Sequence, residues 1–115
     1  MFTLEEQYKI QAVINLFNNF FKFQINGKKL ETLIFQGGMG VDISTYDLAR
    51  AVAQTGSAGT IALTMTREEK RIEALNFSES ELIIGVNNLV KANDYQRHYE
   101  LGKNSGADFI ASGAG

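Results

Sequence analysis

The chain has 115 residues, a formal net charge of −2, 44% apolar residues and 21% charged ones. That length suits one domain, and so small and mixed a charge gives no electrostatic basis for holding nucleic acid or an anionic membrane. With no cysteine and one histidine, His98, the sequence excludes disulfides, thiolate chemistry and multi-histidine metal sites, and no metal ligand set is read from it.

The first residues include Glu5 and Glu6 and no basic cluster, unlike a secretory signal. Leu4, Tyr8, Gln11, Ala12, Leu16 and Phe20 recur mostly three or four apart, which predicts a helix over residues 4 to 20. Thr3 with Glu6 fits a capping box that pairs the free amides of its first turn. The apolar stretch from Gln11 to Phe23 is broken by Asn15, Asn18, Asn19 and Lys22, too short and too polar to span a membrane. A cytoplasmic protein is expected.

Phe23 and Ile25 then alternate with polar residues, and Asn26-Gly27 tolerates the positive φ angles of a tight hairpin turn. A short hairpin is predicted, leading into a buried strand.

From there an apolar run and a helical pattern repeat. Strands are predicted at Thr32–Phe35, Thr60–Leu63, Leu82–Val86 and Asp108–Ala111, with helices over about 44–55, 66–75 and 94–105. Ser44 with Asp47, and Thr66 with Glu69, mark helix starts. Gly56 and Gly106 stand where left-handed C-cap residues belong. The strand centres, near Ile34, Ile61, Ile84 and Phe109, are about 25 residues apart, the length of a strand, a crossover helix and two loops. Continuous apolar runs suit parallel strands, predicted adjacent in chain order with helices on one side. Four such units point to a (β/α) barrel or an open doubly wound sheet.

Both architectures bind ligands at the carboxyl ends of their strands. Gln36-Gly37-Gly38-Met39-Gly40 ends the first predicted strand, Gly85-Val86-Asn87 the third, and Ser112-Gly113-Ala114-Gly115 the fourth. Glycines there serve tight turns, or let a ligand approach the backbone. The first motif is not the dinucleotide fingerprint, because Ile43 stands in place of its third glycine. A thioether at Met39, in a loop between glycines, suits a flat aromatic ligand. Asn87 offers both a donor and an acceptor.

The blocks LIFQGGMGVDIST…LARAVAQTGSAGTIA, IGVNNLVKANDY and SGADFIASGAG resemble the opening of the nitronate monooxygenase family, formerly 2-nitropropane dioxygenases. The family's flavin-dependent enoyl-[acyl carrier protein] reductase relatives share the pattern. The likeness runs from about Gly27 to Gly115. It implies an α/β fold, the first four β/α units of an FMN-binding TIM (β/α)8 barrel over residues 23–115, behind an N-terminal helical extension, 1–22. It places Gly38, Met39 and Gly40 against the flavin and has Asn87 hydrogen-bond it, with Gln36, Ser112 and Gly113 lining the same mouth. The implied reaction is oxidation of a small alkyl nitronate by O2 through FMN, giving a carbonyl compound and nitrite. Enoyl reduction with NAD(P)H and a non-enzymatic truncated product are the alternatives.

The chain also departs from the family's pattern. Thr32-Leu33 and Tyr46 occupy regions where proline is common, Asp42 a position usually small, and Ser57 that of a usual glycine. A barrel of this type takes about 250 residues, and the resemblance puts its phosphate loops and catalytic histidine on later strands. His98 is not that histidine: it is read as a surface or helix-packing residue, and no catalytic residue is assigned here. The 115-residue chain is therefore expected to be an inactive fragment that self-associates through open sheet edges.

Overall fold

The computed structural model describes residues 1–20 and 23–113; Lys22, Ala114 and Gly115, named above, lie outside them. Helix α1 (Leu4–Phe20) forms as the sequence indicates. Thr3 and Glu6 make the reciprocal capping box, with N···O distances of 3.1 and 3.2 Å. Lys9 pairs with Glu5, and Gln11 with Asn15, each one turn apart. Yet every described side chain of α1 is exposed, Leu4, Tyr8, Val13 and Leu16 included. Among the described side chains the helix has local bonds and no buried face. Among the described residues no helix is long and apolar enough to cross a membrane.

Strands β1 (Phe23–Ile25) and β2 (Lys28–Leu30) pair antiparallel around Asn26 and Gly27, whose φ angles of 53° and 76° suit a two-residue hairpin. Then come α2 (Tyr46–Ala53), β3 (Gly59–Ala62), α3 (Glu69–Glu73), a 3-10 turn at Phe77–Glu79, β4 (Ile84–Leu89), α4 (Tyr95–Asn104) and β5 (Ile110–Gly113). β3, β4 and β5 form a parallel sheet in chain order.

Alternation along the strands separates two faces. Ile61, Leu63, Ile84 and Val86 join Ala49 and Ala53 of α2, Ile72 of α3, Phe77 and Leu101 of α4 in one buried cluster, so the helices cover a single face. Contact is close: a Cβ on Gly59 would lie 2.0 Å from the Ala49 carbonyl oxygen. On the other face, Leu30 of the hairpin packs with Ala58 and Ile83, flanked by Ile25 and Phe109.

The amino ends of the strands are locked as well. Lys28 Nζ lies 2.9 Å from Asp108 Oδ1 and 3.0 Å from Oδ2, and donates to the Phe77 and Leu82 carbonyls at 2.9 and 3.0 Å. Asp108, its side chain 0% exposed, also accepts the Ile84 amide at 2.9 Å and the Asn26 carboxamide at 3.1 Å.

Several predicted elements need correction. The strand at Thr32–Phe35 is reduced to one parallel bridge, Phe35 to Ala58. The second strand spans Gly59–Ala62. The third and fourth begin and end later than predicted, at Ile84–Leu89 and Ile110–Gly113, because pairing continues through the polar Asn87, Asn88 and Ser112 after the apolar runs stop. The first crossover helix starts at Tyr46 with Thr45, not Ser44, as its N-cap. The second shrinks to Glu69–Glu73: Thr66 spends its hydroxyl on the Glu68 amide, and Met65 is left-handed, φ 55°. The third spans Tyr95–Asn104. Gly56 and Gly106 do take left-handed angles, 85° and 71°.

Candidate functional site

The first strand leaves the sheet just as the glycine-rich loop begins. The Ala58 amide donates to the Ile34 carbonyl and the Gln36 amide to the Ala58 carbonyl, both at 2.9 Å. Further along this edge of β3, no backbone from 37–43 takes the next two amides. Thr60 N–H donates to the Gln36 side-chain oxygen at 3.2 Å, and Ala62 N–H to the Ser44 carbonyl at 3.0 Å. Gln36 thus stands in for a missing strand residue, and its side chain turns into the sheet edge, away from the mouth assigned to it from the sequence.

Ser44 is buried beneath the loop. Its hydroxyl receives the Met39 amide at 2.9 Å and the Gln36 carboxamide at 3.2 Å, and donates to the Gly37 carbonyl at 3.2 Å. That leaves no hydroxyl free to cap α2. Val41 and Asp42, consecutive non-glycine residues, are left-handed at φ 56° and 57°. Asp42 turns outward: Oδ1 accepts the Arg67 amide at 2.8 Å, and Oδ2 pairs with the Arg67 guanidinium at 3.3 Å. The carboxylate is thereby engaged by Arg67.

Of the four residues assigned to a cofactor, Gly38 and Asn87 are brought into contact. A Cβ on Gly38 would lie 2.5 Å from Asn87 Cβ and Cγ, so the space that this glycine leaves is filled by Asn87 itself. Asn87 donates to the Ala111 carbonyl at 3.3 Å, and its side-chain oxygen takes no hydrogen bond among the described residues. Met39 is 47% exposed at the rim. Gly40 packs on the chain, since a Cβ there would approach the Thr64 carbonyl oxygen to 3.0 Å. Gly37 and Gly113 have nothing within 4 Å of that position. Ser112 falls on the helix-covered face, where its hydroxyl donates to Asn88 at 2.6 Å. The open part of the mouth is thus Gly37, Met39, the Asn87 oxygen and Gly113.

A second polar group lies between α3 and α4. His98 is 1% exposed, and its Nε2 is 3.0 Å from Glu69 Oε1 and 3.3 Å from Asp94 Oδ2. One ligand atom from each of these three residues lies within 4.8 Å of the others. The Arg97 guanidinium bonds both Glu69 and Asp94, so a cation already serves these carboxylates. Partial burial raises the Glu69 carboxyl, but the hydrogen bonds from His98 and Arg97 and the Arg97 charge together hold it below its ordinary value. At Asp47 the hydrogen bond from Arg71 lowers the carboxyl despite some desolvation. Asn88 Nδ2 and His98 Nδ1 are buried without a partner.

Two concavities lie away from this loop. One of about 270 Å³, lined by Lys29, Glu31, Gln54, Ser57 and Glu81, is at the amino ends of the strands. Another of about 270 Å³ lies beside Glu69, Arg97 and Leu101. The Ser44 hydroxyl network has no sequence signal beyond a serine close after a glycine-rich run. Comparison of the chain with models of protein families, with curated proteins and with solved structures returned no match.

Proposed function

We propose that this chain is the N-terminal part of an FMN-dependent oxidoreductase barrel of the nitronate monooxygenase type, binding the flavin ring at the carboxyl ends of its strands. One observation supports this reading above the others. In a parallel sheet with helices on one face only, the loop after the first strand meets Asn87 towards the carboxyl end of β4, the end at which such folds bind ligands.

The residues present fit a flat ring. Gly37 and Gly113 offer surface without a side chain, the exposed Met39 offers a polarisable thioether, and Asn87 offers an oxygen without a partner. Bound flavin supplies the electron transfer and the O2 chemistry. The protein's part at this mouth would be to hold and orient the ring: Met39 would cover it, and the side-chain oxygen of Asn87, whose carboxamide donates to the Ala111 carbonyl, would accept a hydrogen bond from it. A small alkyl nitronate would approach from the open side.

Flavin fluorescence on titrating FMN into the purified chain tests this. Saturable quenching is expected, with affinity lowered by Asn87→Ala by the equivalent of about 1–3 kcal/mol, the cost of an unpaired polar group, and lowered also by Gly37→Val. Absence of saturation, or equal affinity in all three proteins, overturns the assignment.

A further inference from the structure

We propose that Ser44, with Gln36, is a positioning residue: its buried hydroxyl sets the loop Gly37–Ile43 in its ligand-ready shape before any ligand arrives. The loop needs such a restraint. Val41 is β-branched and left-handed, and Asp42 after it is left-handed too; conformations of this kind are strained and persist only where the surroundings over-determine them.

The surroundings act at three points. Asp42 is held outside by Arg67 and Thr66, and the Val41 amide reaches the Thr64 carbonyl at 3.4 Å. At the inner end the Ser44 hydroxyl joins Met39 N–H, Gly37 C=O and the Gln36 carboxamide, so one oxygen spans the glycine turn from both sides. The Ser44 amide returns a bond to the Met39 carbonyl at 2.9 Å. Gln36 in turn is anchored on Thr60 of β3. Both main-chain polar groups of Met39 therefore end on Ser44, while its side chain projects outward. The hydroxyl touches no ligand in this arrangement; it fixes the residue that would.

The flavin-binding arm of the test rests on the function proposed above; the other arm does not. Amide hydrogen exchange on the flavin-free chain reads the loop directly. In Ser44→Ala the Met39 amide is expected to exchange at least tenfold faster, while the amides of Ile61 and Val86 keep their protection. Ser44→Thr, which restores a hydroxyl, is expected to recover most of the Met39 protection. Unchanged Met39 exchange in Ser44→Ala, or a uniform rise across all amides, overturns the positioning role. In the second arm, FMN affinity is expected to fall about as much as the exchange protection and to return with threonine. Wild-type chain that shows Met39 protection but no FMN binding leaves Ser44 as the loop's organiser and removes the flavin reading alone.

Discussion

The two ends of the parallel sheet are built by opposite means. At the amino ends an aspartate with no exposed side-chain surface, a lysine bonded to two carbonyls and an apolar cluster from the hairpin tie the strands together. At the carboxyl ends glycines and polar residues stand among exposed apolar ones, the Met39 and Met65 thioethers included, and left-handed backbone is held by a hydroxyl and a carboxylate. The difference separates two tasks. Bonds at the amino end serve only the fold, whereas the carboxyl end leaves backbone and one side-chain oxygen uncommitted, which is what a binding surface requires.

The strongest way to break this contrast is at the closed end. Lys28→Met should lower stability by about 3–5 kcal/mol, since it strands the buried Asp108 carboxylate; urea unfolding checks this, and a loss under about 1 kcal/mol would mean that water reaches the site. Next, Gly38→Ala should cost about 1–3 kcal/mol by driving a methyl into Asn87. Asn87→Gly in the same chain should restore most of that, and a double-mutant cycle on denaturation midpoints measures the coupling. Smaller is the acid-side effect at Glu69. Its folded value lies below the ordinary 4.5, so its contribution is fully present above pH 4.5 and is lost as pH falls through the folded value. Glu69→Gln should flatten stability against pH in that acid range, as read from urea midpoints across a pH series. The smallest effect belongs to Gly37→Ala, with open space and no left-handed φ: its melting point should match the parent's, with stability within about 0.5 kcal/mol.

Element types and their order were legible because each unit carries its own period and its own punctuation. Asn26-Gly27 fixes the hairpin turn, and the apolar runs mark the parallel strands. Boundaries were less so, since hydrogen bonding in β4 runs on through Asn87 and Asn88 after apolarity ends at Val86. Ser44 with Asp47 reads as a helix start, but the loop claims its hydroxyl and Thr45 caps the helix instead. Lys28 and Asp108 are far apart in the chain, and nothing local to either announces the other.

Thr32, Ser57 and Tyr46 make sense only together with their partners. Thr32 and Ser57 share a hydroxyl–hydroxyl bond of 2.6 Å, and the Tyr46 amide, which a proline would lack, donates to Glu68 at 2.6 Å. Of the four residues assigned to a cofactor, Met39 and Asn87 keep free chemistry at the mouth, while Gly38 and Gly40 are small for the protein's own packing.

One consequence follows from the single bridge that joins Phe35 to Ala58. A segment with no strand ladder of its own, tied to the sheet and the loop after β3 by four backbone bonds, the Gln36 carboxamide and the Asp42–Arg67 pair, could lift away without the rest of the sheet melting. Such an opening would uncover the Ala58, Thr60 and Ala62 amides together, a row spaced for a strand from another molecule. The rate at which this protein assembles with itself would then track the opening of residues 33–45, not global unfolding, and solutions of equal melting temperature could age at different speeds.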